Sequence, residues 1–503
     1  MKLVPTDEQL DAIDVVMNNQ FTKLNAFAGC SKTTTLMMVA NQVEMNSLYL
    51  AFNKSMAVEA EEKFPSWVTV KTTHALAFAK FGRDIATKLK RPSGQYVNVC
   101  GTGTEVARYF RIKDIRYPVG GIYKLITSAG IGRAVRETVN TFEYSADPHI
   151  TSAHVSKCAL KDKKDLPSTV ISAYYRTVLD HAKRLWSLRT DPSSDILATH
   201  DTYLKLYQLS KPDLSSYPMI YLDEAQDTNE CVLDIIKNQT ASKIVVVGDM
   251  YQQIYQFRGS INAMSLLPYA ESKLTQSFRF GSPIADIANA ILSCGSTQTD
   301  IRGWEKATSR VLETKVGITP PRGCTILYRT NMALVLDAVD YLHAGKKVNL
   351  EIDVKDFTKL LESAMELKNG NMKGVKHENL LPYASWYDFE DEVTNSSSEL
   401  SRVYTIVEDG DYERVIGMLK TQSNVDKPDL ILTTAHKSKG REFDMVMLAD
   451  DFPSNFNSEG EWVGLNDMER NLLYVGATRA RRVLVLNSTI QEILNRGRIP
   501  GRI

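Results

Sequence analysis

Three stretches of the chain carry residues suited to phosphate and nucleic-acid chemistry. The first is Ala26-Phe27-Ala28-Gly29-Cys30-Ser31-Lys32-Thr33-Thr34. A loop that cradles phosphates needs inward backbone N–H groups at a helix N-terminus. It also needs a lysine for the β- and γ-phosphates and a Ser/Thr hydroxyl for Mg²⁺. Lys32 and Thr33 meet the last two needs, but Ala26 and Ser31 stand where the pattern G-x-x-x-x-G-K-[ST] has its two glycines. The second stretch, Met219 to Asp227, sends the adjacent carboxylates Asp223 and Glu224 off the end of an apolar run. One can hold a metal ion while the other polarises a water, the division of labour that nucleoside triphosphate hydrolysis requires. The third runs from Val245 through Gly248-Asp249 to Gln252, Tyr255, Phe257, Arg258 and Gly259. Aromatic faces beside a cation are what single strands stack on, at ~1–3 kcal/mol per base.

Each group needs a strand to deliver it. Short apolar runs predict strands at Thr22–Phe27, Ser47–Phe52, Val68–Lys71, Met219–Leu222 and Lys243–Val247. Later runs predict more at Thr325–Arg329, Leu430–Thr433, Met445–Leu448 and Val483–Leu486. Helical spacing of Leu10, Ile13 and Val16 after the cap Thr6, and again over Thr33 to Val43, separates the first of them. Strands alternating with helices predict an α/β fold with parallel sheets, whose ligands sit at the C-terminal strand ends. Two tracts break the alternation. Lys80 to Asp195 is helical in pattern and basic, with 20 Lys/Arg against 11 Asp/Glu, as a surface following a phosphate backbone is. Leu336 to Val425 is acidic, with 10 against 17, and Ser/Asn-rich at Asn395–Ser398. We therefore expect two α/β cores, each interrupted. The first comprises 1–79 and 201–275 around the basic insertion 80–200. The second comprises 276–335 and 426–503 around the small acidic insertion 336–425.

Composition narrows the class. The 503 residues hold 60 Lys+Arg and 60 Asp+Glu and are 43% hydrophobic, which excludes disorder and fibrous repeats. No apolar run approaches the ~20 residues of a membrane span, and Met1 to Gln9 lacks a signal-peptide apolar region. Six scattered cysteines and eight scattered histidines offer neither CxxC nor HExxH spacing, so reduced thiols in a cytoplasmic protein are expected.

In chain order these motifs resemble superfamily 1 helicases of the UvrD/Rep type, and most of all the helicase portion of the F-box DNA helicases. Thr6-Asp7-Glu8-Gln9 resembles the adenine-reading Q motif, and Asn53 and His74 lie in stretches resembling early DNA-contacting motifs. Asp223 to Asp227 resembles the Walker B motif, and Leu274 to Arg279 motif IV. Thr433 to Asp444 and Glu469 to Ala480 resemble motifs V and VI. The resemblance implies two RecA-like cores that use ATP and Mg²⁺. Gln9 would read adenine, with Phe278 stacking on its ring. Gly29, Cys30, Ser31, Lys32, Thr33 and Thr34 would hold phosphates, Thr33 and Asp223 the metal. Glu224 would be the general base, Gln252 the γ-phosphate sensor, Arg279 and Arg479 the arginine fingers, and Glu442 the ribose ligand. Asn53, His74, Tyr255, Phe257, Arg258, Thr434 and His436 would line the single-strand track.

The implied activity is ATP-dependent travel along single-stranded DNA, 3′→5′, and unwinding of duplex or forked DNA in replication, recombination or repair. The protein would be a cytoplasmic, nucleoid-associated monomer, or lie in the host cytoplasm if phage-encoded, with replication or recombination proteins as partners. An RNA helicase would share the nucleotide site, and a non-hydrolysing DNA-binding protein would explain Ala26 and Ser31. Only 24 residues follow Arg479, too few for a nuclease domain, and the core starts almost at Met1, so no F-box partnership is expected.

Overall fold

The computed structural model describes residues 4–90, 99–119, 121–160, 163, 166–256, 259–295, 300–313, 320–377, 379–381, 383, 385–394, 399–421 and 427–496. Phe257, Arg258 and the Asn395–Ser398 tract lie outside the described residues.

In the first core, strands β1 (Phe21–Ala26), β2 (Ser47–Ala51) and β3 (Val68–Thr72) precede the hairpin β4 (Ile115–Val119) and β5 (Ile122–Ile126). Then follow β6 (Met219–Leu222), β7 (Lys243–Gly248) and β8 (Ala270–Leu274). Apart from the hairpin these form one six-stranded sheet in the order β3-β2-β6-β7-β1-β8, with every pairing parallel. The second sheet holds β9 (Arg310–Glu313), β10 (Cys324–Tyr328), β11 (Val348–Leu350), β12 (Leu430–Thr434), β13 (Phe443–Leu448) and β14 (Ala480–Leu486). Its order is β11-β12-β10-β13-β14-β9, again all parallel. The central strands β2, β6, β7 and β10 are buried along nearly their whole length, which is why their sequences are unbroken apolar runs rather than alternating ones.

Burial joins the cores. Leu24, Tyr221 and Val247 of the first sheet share one apolar cluster with Leu327 and Val446 of the second and with Tyr474 on helix Asp467–Ala477 beside it. The basic tract builds a separate core around Phe110, Tyr117, Phe142, Tyr174 and Leu185. The acidic tract departs from the expected boundary. Helix Asn331–His343 runs past 336, and β11 lies wholly inside 336–425 yet pairs with β12, so the second sheet claims both. The helices from Val354 to Thr421 then pack on that sheet through Leu361, Phe389, Val403 and Leu419.

Candidate functional site

The turn after β1 swings left-handed twice, at Gly29 (φ 76°) and Ser31 (φ 55°), before helix Lys32–Val43 begins. Gly29 is required on two counts. Its φ is positive, and a Cβ there would meet Ser277 Oγ at 2.5 Å and Arg279 Cβ at 2.8 Å. Ser31 caps the helix without a side-chain hydrogen bond. The N-terminal amides therefore face the cleft unclaimed by their cap, as a phosphate cradle requires.

β6 ends at Leu222, Asp223-Glu224 follow it directly, and Glu224 also sits in the left-handed region at φ 51°. Lys32 Nζ lies 2.8 Å from Glu224 Oε1. Asp223 accepts hydrogen bonds from the Tyr49 hydroxyl and, at 2.8 Å, from the Glu224 N–H. Burial and the neighbouring Glu224 charge push Asp223 upward. Burial also raises Glu224, but Lys32 and Lys439 outweigh it and hold that carboxylate ionised, below its usual range. A water-activating base needs that ionised form. Gln226 donates to Glu224 and fixes its direction.

The second core answers with cations. Lys439 pairs with buried Asp227 and donates to the Gln252 carbonyl at 2.6 Å. Arg479 is buried, bonded to the Val475 carbonyl at 2.9 Å and the Gln252 side-chain oxygen at 3.4 Å. Burial and the nearby Arg279 charge bring Arg479 down to about 9, still a cation at neutral pH. Arg279 binds Glu442 at 2.8 Å and the Thr478 carbonyl at 3.0 Å.

Most of these groups line a cleft of about 1070 Å³, though Asp223 and Gln226 are not among its lining residues. Gly29 to Thr34, Glu224, Gln252, Phe278, Arg279, Glu442 and Arg479 are all on its wall. Gln9 is not among these lining residues. It is buried behind the phosphate loop, where its oxygen takes the Thr6 N–H of a capping box and its amide donates to Thr35 at 3.1 Å. Among the cleft residues not expected from the sequence are Lys439 and Trp304. Lys439 lies inside motif V, so the motif itself carried the signal. Trp304 stands edge-on to Phe278 at 6.1 Å and 65°. Its only sequence signal was a large aromatic in a polar stretch.

Several residues expected to line the strand track sit at strand-to-helix turns. Asn53 caps helix Lys54–Lys63, and Thr72 caps the short helix that carries His74. Thr434 caps the one that carries His436. Phe52 and Tyr255 stack at 6.1 Å and 14°, both on the cleft wall, and the Tyr255 hydroxyl donates to the His436 carbonyl at 3.3 Å. His74 lies 3.2 Å from Asp201, in an element beyond the basic tract.

ATP and Mg²⁺ fit what is present: an uncapped helix end, a lysine, a hydroxyl at Thr33 and a buried carboxylate at Asp223. Among the described residues no helix is long and apolar enough to cross a membrane.

A model of the UvrD-like helicase C-terminal domain matches residues 190–491, and an AAA domain model matches 9–258. F-box DNA helicase protein 1 of Schizosaccharomyces pombe is 31% identical over 97% of this chain and 58% of its own length. F-box DNA helicase 1 of Gallus gallus is 30% identical over 95% of this chain and 48% of its own. The chain thus spans about half the length of the curated relatives it matches.

Proposed function

The chain belongs to the UvrD-like helicase family, and from that premise we propose that it is an ATP-dependent DNA helicase. Its two cores hydrolyse ATP in the cleft between them and step along single-stranded DNA. The observation that carries the reading is the meeting of Lys32 and Glu224 with Arg479 and Gln252 around one cleft.

The residues divide the work as follows. Lys32 and Glu224 neutralise each other. Phosphate oxygens compete for Lys32, and the freed Glu224 then takes a proton from the attacking water. Thr33 and Asp223 would hold Mg²⁺, which would supply positive charge beside the phosphates. Arg479 and Arg279 stabilise charge that develops on the transferred group, and both reach the cleft only while the two cores are apposed. Hydrolysis is thereby tied to cleft closure. Phe278 and Trp304 supply aromatic surface for the base. Tyr255, with Phe52 stacked beside it, supplies the platform for strand bases, and the Thr72 and Thr434 turns flank the strand's path. Single-stranded and forked DNA are the proposed substrates.

The test is Mg²⁺-dependent ATP hydrolysis with and without single-stranded DNA, followed by unwinding of 3′-tailed, 5′-tailed and forked duplexes. Strong stimulation by DNA and preferential unwinding of 3′-tailed and forked substrates are expected. A basal rate unchanged by saturating single strands would remove translocation from the account. Stimulation by RNA but not DNA would assign the strand track to RNA.

A further inference from the structure

Among the buried polar side chains between the cores, Tyr474 is one that the mechanism above does not use. Tyr474 projects from helix Asp467–Ala477 of the second core and is 0% exposed. Its hydroxyl accepts from the Ala28 N–H at 3.1 Å and donates to Asp249 Oδ2 at 3.0 Å. A phenol oxygen has one proton and free lone pairs, so both bonds form together. Ala28 is part of the phosphate loop, and Asp249 follows the end of β7. One hydroxyl of the second core therefore ties together two strand ends of the first.

Asp249 passes the contact on. The same Oδ2 accepts from the Gln252 amide at 2.7 Å, and Oδ1 accepts from the Tyr251 N–H at 3.0 Å. The other end of Gln252, its oxygen, accepts from Arg479. A guanidinium only donates, so Arg479 takes the oxygen and the amide NH₂ is left for Asp249. Gln252 is thus held at both ends by groups that depend on the second core. Arg479 bonds it directly, and Tyr474 acts through Asp249.

We propose that Tyr474 is a positioning residue. Its hydroxyl registers the docked second core on the phosphate loop and, through Asp249, sets the orientation of Gln252. The proposal rests on reading the chain as an ATPase. When the cores part, Tyr474 leaves with the second core, Asp249 loses a donor and the Gln252 amide is free to turn. ATP binding through Lys32 needs none of this, whereas hydrolysis does.

The experiment is a double-mutant cycle on the full chain with saturating single-stranded DNA: wild type, Tyr474→Phe, Gln252→Ala and the pair. Tyr474→Phe removes only the hydroxyl. We expect its kcat to fall about tenfold or more while KM for ATP stays within about threefold, the mark of an interaction used after binding. We also expect the double variant to be no slower than Gln252→Ala alone, because both changes cut one path. A purely structural role lowers Tm and scales kcat equally in both backgrounds, so multiplied effects overturn the proposal. So does an unchanged kcat in Tyr474→Phe. Should that variant lose its cooperative thermal transition, Asp249→Asn replaces it in the same cycle under the same criteria. A wild type with no DNA-stimulated hydrolysis overturns the functional reading and this inference with it. A wild type that hydrolyses while the effects multiply overturns this inference alone.

Discussion

Each sheet ends one strand in the same turn. β3 stops at Thr72 with φ −91° and ψ 154°, and β12 at Thr434 with φ −91° and ψ 153°. In both, the threonine hydroxyl takes the N–H three residues on, and a histidine follows at the second helical position. On the nucleotide side the cores differ. The first core holds its chemistry on strained backbone, with Ser31 at φ 55° and Glu224 at φ 51°. Such conformations cost an L-residue about 1–2 kcal/mol each. None of the second core's cations at the site, Arg279, Lys439 and Arg479, is among the positive-φ residues. The contrast has a physical reason. Converging backbone amides and carboxylates on a phosphate requires unusual turns, whereas a long cation need only reach. The capped turn suits either core because it asks nothing of the backbone beyond a threonine and a free helix end.

The sharpest way to break this division is to remove the reaching cation. Arg479→Ala is expected to lower the DNA-stimulated kcat by about 10³–10⁵, the usual worth of an arginine finger, with ATP still bound. Steady-state hydrolysis and nucleotide titration measure the two halves. A loss below tenfold would show that the second core contributes closure but not chemistry.

Next in size is the strained carboxylate. Glu224→Gln keeps the shape but not the base, and is expected to cost about 10²–10⁴ in kcat. ATP affinity should hold or rise, because Lys32 no longer has a carboxylate competing with phosphate. Single-turnover hydrolysis within tenfold of wild type would place the base elsewhere.

How much of this was legible before folding depends on burial. Strands such as Met219–Leu222 and Lys243–Gly248 are covered on both faces, so their apolar runs announced them. β8 (Ala-Glu-Ser-Lys-Leu), β9 (Arg-Val-Leu-Glu) and three-residue β11 did not. Each pairs with a single neighbour at a sheet edge, where polar residues are tolerated. The boundary at 336 missed because β11 is only three residues, Val-Asn-Leu, within a tract whose overall charge is acidic. At the site, Lys32, Glu224 and Arg479 were readable because their chemistry is tied to motif and strand end. The pairings were not. That Lys32 meets Glu224, that Arg279 meets Glu442, and that Tyr474 bridges Ala28 and Asp249 are facts of long-range packing with no local signal. Gln9 shows the converse, since the same residue that resembles a base reader also closes a capping box.

The histidine of the second core's capped turn extends the comparison to pH. His436 is half-buried, and burial holds it below the ordinary value of 6.5. Arg329 and Lys439 add to this, while Glu469 and the Ile254 backbone oppose it. The folded state keeps the ring neutral, whereas the unfolded chain takes a proton near 6.5. As pH falls through that value the unfolded state binds more protons and stability is lost, and raising the pH restores it. His436→Gln is expected to flatten this part of the Tm-against-pH curve. An unchanged slope would mean other groups set it.

The smallest effect expected is at Ser31, the residue that stands where the phosphate-loop pattern has glycine. Its φ of 55° is one that glycine adopts freely, so Ser31→Gly relieves about 1–2 kcal/mol of backbone strain. Glycine gives back about 0.4–1 kcal/mol through the freer unfolded chain. No cap bond is lost, because the serine side chain makes none. The net should be a stabilisation of about 0.5–1 kcal/mol, read by thermal or chemical denaturation. ATP affinity should change by no more than about tenfold, ~1.4 kcal/mol, because the loop already holds the left-handed turn that glycine would supply. Nucleotide titration of both forms decides the matter. If the serine protein fails to bind ATP while the glycine variant binds in the micromolar range, the turn alone is not enough. Ser31 would then be a disabling substitution, and the chain a DNA-binding protein that does not hydrolyse ATP.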